Sequence, residues 1–159
     1  MIKVGKVVAV DEAKARVRVQ LLDNDEMVTY WLQIAVPKAQ NDKFYWIPDV
    51  GELVLCAFLE HGLEQGFVIG AVYNEKDQTP VQDKEKFHIK FKDGSWIEYD
   101  RREHKLTAFI KGDINITASG NITLQAPVVN IVGNLEVQGN IHATGSIIDE
   151  GGNTNHHSH

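Results

Sequence analysis

Apolar and polar residues alternate with a period of two along most of this chain, the spacing of a strand with one buried and one solvated face. Residues 3–10 read as a first strand and Asp11-Glu12-Ala13-Lys14 as a turn. Ala15-Arg16-Val17-Arg18-Val19-Gln20-Leu21 reads as the returning arm of a hairpin. A polar stretch, Asp23-Asn24-Asp25-Glu26, leads to a β-rich run over residues 27–36 that Pro37 ends. Residues 38–43 are a polar loop. Trp46-Ile47-Pro48-Asp49-Val50-Gly51 then opens a strand over residues 52–59, followed by a turn over 61–66 and a strand over 67–73.

Five or so short strands within residues 1–73, without a convincing helix, predict an all-β fold that begins with a small closed barrel of the OB type. Residues 74–86 are polar, contain Pro80 and read as a connector. Next, Phe87-His88-Ile89-Lys90-Phe91 and Ser95-Trp96-Ile97-Glu98-Tyr99 flank Lys92-Asp93-Gly94, whose Asp-Gly pair is a strong hairpin signal. A second turn falls at Asp100-Arg101-Arg102-Glu103. From there the pattern repeats as glycine, a polar residue, then apolar and polar in alternation. The units include Gly112-Asp113-Ile114-Asn115-Ile116-Thr117, Gly120-Asn121-Ile122-Thr123-Leu124-Gln125 and Gly133-Asn134-Leu135-Glu136-Val137-Gln138. Such recurrence marks a β-solenoid or a β-prism wound from several chains, with Ile, Leu and Val expected inward.

Composition separates the two halves. Of 3 Trp, 4 Tyr and 6 Phe, only Phe109 lies beyond residue 104, and residues 105–148 carry only Lys105, Lys111, Asp113 and Glu136 as charges. Branched aliphatics are too many there for disorder. Yet so short a segment without aromatic filling cannot build a core alone, so it needs neighbouring chains, and three is the preferred number.

At 159 residues the chain allows one domain or two small ones. No apolar run approaches the ~18 residues that cross a bilayer as a helix. The first residues read as a strand rather than a signal peptide, so synthesis in the cytoplasm is expected. The single cysteine, Cys56, sits in an apolar run and reads as a buried small hydrophobe. A net charge of −6 works against binding a phosphate backbone.

Candidate chemistry concentrates at the end of the sequence, in Asn153-Thr154-Asn155-His156-His157-Ser158-His159. His157 and His159 are two apart, so an extended backbone turns both imidazoles to one side. Around a threefold axis they supply six nitrogens, an octahedral set suited to Fe²⁺ or Ni²⁺. The alternatives are a frayed tail or the remnant of a purification tag. His61, His88, His104 and His142 stand singly and read as surface or packed residues. Paired carboxylates, Asp23 with Asp25 and Asp149 with Glu150, lie in solvated loops. No GxSxG, HExxH, P-loop or GxGxxG string is present, and no enzymatic activity is expected.

Taken together these strings resemble the phage baseplate assembly protein V family, the central spikes of contractile tails, related to R-type pyocin and type VI secretion spikes. In the first half the resemblance rests on Pro48-Asp49-Val50-Gly51-Glu52-Leu53-Val54-Leu55 and Gly66-Phe67-Val68-Ile69-Gly70-Ala71-Val72-Tyr73-Asn74. In the second it rests on Lys92-Asp93-Gly94-Ser95, the glycine-led repeats and the histidine-rich end. It implies a homotrimer in four segments. These are an OB-fold collar (residues 1–73), a connector (74–86), a β-hairpin neck (87–110) and an intertwined triple-stranded β-helix or β-prism spike (111–159). It further implies one iron ion per trimer held at the tip by His157 and His159, and baseplate and tail-tube proteins as partners. The host outer membrane would be the target to be pierced, with no nucleic acid bound, and the protein would be made in the host cytoplasm and placed in the virion tail baseplate.

Three other readings remain at this point. The barrel could be a binding module for an oligonucleotide or saccharide, the terminal histidines could form an open metal site activating water, or the repeats could form a receptor-binding fibre.

Overall fold

A computed structural model describes residues 1–23, 27–59 and 65–148. The chain divides into two compact units, Met1–Asp113 and Ile114–His159.

The first unit begins with a closed barrel of five strands: β1 (Ile2–Asp11), β2 (Arg16–Leu21), β3 (Leu32–Ile34), β4 (Leu53–Phe58) and β5 (Gly66–Ala71). Their spatial order is β1-β2-β3-β5-β4. β1 and β2 form the hairpin that alternation predicts. Asp11 braces it, accepting from the Lys14 amide at 3.2 Å and pairing with Arg16 Nε at 2.8 Å. That guanidinium holds the Asp11 carboxyl below its usual range. β1 pairs with β4 and β4 with β5, both antiparallel. The parallel pairing of β3 with β5, Gln33 against Phe67 and Ile34 against Val68, closes the cylinder.

One side-chain set fills the interior: Val7, Val17, Val19, Leu21, Leu32, Val54, Cys56, Phe58 and Val68 are all buried. In β2 the inward residues alternate strictly with Arg16, Arg18 and Gln20. β4 is apolar throughout, so Val54, Cys56 and Phe58 enter the core while Leu53, Leu55 and Ala57 lie half-buried on the outer wall. Gly5 is where β1 crosses close over β2. A Cβ there would collide with Val19 Cγ1 and stand 2.7 Å from the Gln20 carbonyl oxygen.

The β-rich run over residues 27–36 is not one strand. Val28 makes an isolated bridge to Gln20, and only Leu32–Ile34 forms β3. The interruption has a local cause. Thr29 is buried, and its Oγ1 accepts the Val19 amide at 3.0 Å and donates to the Tyr30 carbonyl at 2.8 Å, so a side chain takes over one rung of the ladder while the Thr29 amide still donates to the Val19 carbonyl at 2.8 Å.

A three-stranded antiparallel sheet completes the first unit: β6 (Lys86–Lys90), β7 (Trp96–Asp100) and β8 (Lys105–Phe109). The Asp93-Gly94 turn joins the first two, with Gly94 at φ +89°. At the second turn Asp100 Oδ1 accepts the amides of Arg102 and Glu103, and His104 takes a positive φ of 54°. One sheet face carries Phe87, Ile89, Ile97, Tyr99 and Leu106. The other carries Lys86, His88, Trp96, Glu98, Asp100 and Phe109. The barrel's long loop reaches this sheet through Trp46, whose ring stacks on Phe91.

In the second unit, described to Ile148, no strand forms within the single chain and every described side chain is exposed. The aliphatics expected to face inward therefore have no interior in one copy, because no neighbouring strand is present to pair with.

Candidate functional site

The second unit presents an unusual surface. Among its described residues thirteen Ile, Leu and Val side chains are exposed, from Ile114 at 65% through Leu124 at 77% to Val132 at 102%. Scattered apolar side chains are normal on any protein, but a series of this length exceeds what a monomeric surface ordinarily exposes. Burying even half of them would contribute on the order of 10 kcal/mol per chain.

The predicted ligands His157 and His159, with His156, lie outside the described residues, as do His61, Asp25, Asp149 and Glu150. Among the described residues no group of three or more His, Cys, Asp or Glu is placed to hold a metal ion. His142 is exposed, and so is His104 in its turn. Asp23 pairs with Lys3 at 2.8 Å. Cys56 is buried in the barrel core, and burial pushes its thiol up to about 11, which leaves it an inert packing residue at neutral pH.

His88 has a more defined setting than a lone histidine suggests. Its Nδ1 lies 2.8 Å from Glu98 Oε2, its ring stacks on Trp96 at 5.7 Å, and Trp96 in turn meets Phe109 at 6.3 Å. Lys86 Nζ donates to Glu98 Oε1 at 2.7 Å and lies 3.8 Å from Asp100 Oδ2. Lys86, then His88, hold the Glu98 carboxyl below the usual carboxylate range, and Glu98 raises Lys86 in return. The carboxylate is thus committed to Lys86 and His88 and is a brace of the sheet. Sequence reading missed this network although its signal was present, since counting outward from the Asp-Gly turn sets His88 opposite Glu98.

The same turn holds a buried serine. Ser95 Oγ donates to Asp93 Oδ2 at 2.8 Å and accepts the Lys111 amide at 3.1 Å. Donors from the Ser95 backbone, then its side chain, lower the Asp93 carboxyl. An open groove of about 330 Å³ beside the barrel is lined by Trp46, Asp49, Glu52 and Lys76 among others. Glu52 Oε2 there accepts the Asp49 amide at 2.9 Å and closes the loop on itself. Among the described residues no helix is long and apolar enough to cross a membrane.

Comparison with known proteins agrees with this geometry. Residues 3–73, the barrel, match the family model described as the type VI secretion system/phage-baseplate injector OB domain. The whole chain is similar to the spike protein of Escherichia phage P2, at 32% identity over 186 aligned positions covering 87% of that relative. A barrel of the injector type, followed by a glycine-repeated segment and aligned throughout with a tail spike, places the chain in the phage baseplate assembly protein V family, as a baseplate spike component of the virion tail.

Proposed function

We propose that three copies of this chain assemble into the central spike of a contractile tail and that this spike pierces the host outer membrane when the sheath contracts. The carrying observation is the exposed aliphatic series between Ile114 and Ile148, which is left uncovered among the described residues. Glycine-led alternation suits it to pairing with the same segment of other copies in an intertwined triple-stranded β-helix or β-prism. Interchain hydrogen bonds and a shared aliphatic interior would give the column resistance to axial load, and the barrels would form the collar that meets baseplate and tube proteins.

His157 and His159 of each copy would supply six imidazole nitrogens to one iron ion at the tip. That donor set fills an octahedral shell and leaves no position for a substrate, in keeping with a family of structural spike proteins rather than enzymes. When bound, the ion ties three chain ends together.

Solution mass with metal analysis tests the reading. A species of about 53 kDa, for three chains of 17.8 kDa, holding one iron is the expected result. A monomer in solution would overturn the assembly, and one metal per chain would overturn the tip site.

A further inference from the structure

The repeats that fit the second unit for pairing with copies of itself also leave its register poorly determined. Units beginning at Gly112, Gly120, Gly133 and Gly139 present nearly the same order of glycine, polar and aliphatic residues. A slip of one unit at the start sets Ile114 and Ile116 of one copy at the level of Ile122 and Leu124 of the next, so the first repeats still meet aliphatic against aliphatic, and glycine-rich strands specify register weakly. Something outside the repeats must fix where each copy begins.

The first unit ends in a contact suited to that task. The ladder between β7 and β8 finishes at Trp96 opposite Phe109. Beyond that pair the chain is held by a side chain, because the Lys111 amide donates to Ser95 Oγ. Ser95 is itself fixed from several directions. Its amide donates to Asp93 Oδ1 and its hydroxyl to Asp93 Oδ2, both at 2.8 Å, and its carbonyl accepts the Phe91 amide at 2.8 Å. It is 3% exposed, and Ser95 and Thr29 are the buried polar residues among those described. Gly94 completes the clasp. The Lys111 Nζ lies 3.0 Å from where a Cβ of residue 94 would stand, so the lysine stem crosses directly over the turn. A hydroxyl at one position cannot accept the amide of residue 110 or 112 without moving a buried side chain, whereas a regular ladder could slide.

We infer that the Asp93-Ser95-Lys111 clasp is a register lock, which pins each chain three residues before Ile114 so that the repeats of all copies start at the same level. Ser95 is thus a positioning residue, and its role rests on the trimeric reading above. A simple turn brace would affect the hairpin alone. A register lock governs a segment that Ser95 does not touch.

Hydrogen exchange of the full-length protein, followed by mass spectrometry of peptides from residues 114–148, separates the two roles. The native chain should give a single protected population. Ser95→Ala should keep the oligomeric mass and split those peptides into two or more populations, with the slipped form rising about five- to tenfold for the loss of one hydrogen bond. Ser95→Thr, which keeps the hydroxyl, should restore the single population. Should Ser95→Ala fail to fold, Lys111→Pro removes the donated amide together with the lysine stem over Gly94, and Lys111→Ala, which loses the stem but keeps the amide, is its control. A single, equally protected population in the folded variants would overturn the lock while leaving the trimer standing. A native chain that is monomeric would instead overturn the assembly.

Discussion

Trp46 lies flat against Phe91, with ring centroids 5.9 Å apart and planes within 5°. The contact joins the barrel's loop between β3 and β4 to the end of β6, two elements separated in sequence by the whole connector. Tyr45, its neighbour, donates to the Glu12 carbonyl at 3.3 Å, so this loop grips the β1–β2 hairpin on one side and the sheet on the other. Trp46→Ala should lower stability by about 1–2 kcal/mol. Urea denaturation would measure that loss, and limited proteolysis should show earlier cleavage between residues 74 and 85.

Acid should weaken the three-stranded sheet. The carboxyls of Glu98, Asp93 and Asp100 are all held below their usual range, the first by Lys86 and His88, the second by Ser95, the third by the Glu103 and Arg102 amides. A carboxyl whose folded value is depressed stabilises the fold above its unfolded value, and that contribution disappears as pH falls through the folded one. The melting temperature should therefore decline as pH drops below the ordinary carboxylate range. Glu98→Gln should start from a lower plateau at neutral pH and decline less, as thermal melts between roughly pH 7 and pH 3 would record.

Gly5 should tolerate no side chain. In Gly5→Ala the new methyl meets Val19 and the Gln20 backbone, and backbone cannot move aside as a flexible side chain would. The expected cost is about 1–3 kcal/mol, read as a shift in the denaturation midpoint. Gly70, which has open space at its Cβ position, is the control, and Gly70→Ala should shift the midpoint far less.

On the proposed reading of a trimer with one iron at its tip, changing both His157 and His159 to alanine should release that metal and leave the trimer assembled, because the aliphatic interior and not the ion would supply most of the association. Metal analysis and solution mass on the same sample check both halves of the statement. Dissociation into monomers would reverse that ranking.

Strands whose partners lie a few residues away were legible from the sequence. The β1–β2 hairpin follows from strict alternation, and β6 and β7 follow from Asp93-Gly94 between two aromatic-rich arms. Cys56 was legible too, since only a core position suits a thiol flanked by Leu55 and Ala57. The region from Met27 to Val36 was not, because its β-rich composition conceals that Thr29 bonds sideways to Val19. Barrel closure between β3 and β5 was also hidden, as two residue pairs from distant segments leave no periodic trace. For the second unit, sequence indicated which side chains need covering but not what covers them.

The barrel seals its own perimeter, and this sets an order of construction. Its nine-residue interior needs nothing from another copy, so the head of each molecule can mature as the chain leaves the ribosome. The sheet of β6, β7 and β8 likewise pairs within one chain, whereas residues 114–148 have no hydrogen-bonded strand of their own. On the proposed trimeric reading, the folded barrel would carry an adhesive tail until three such tails meet.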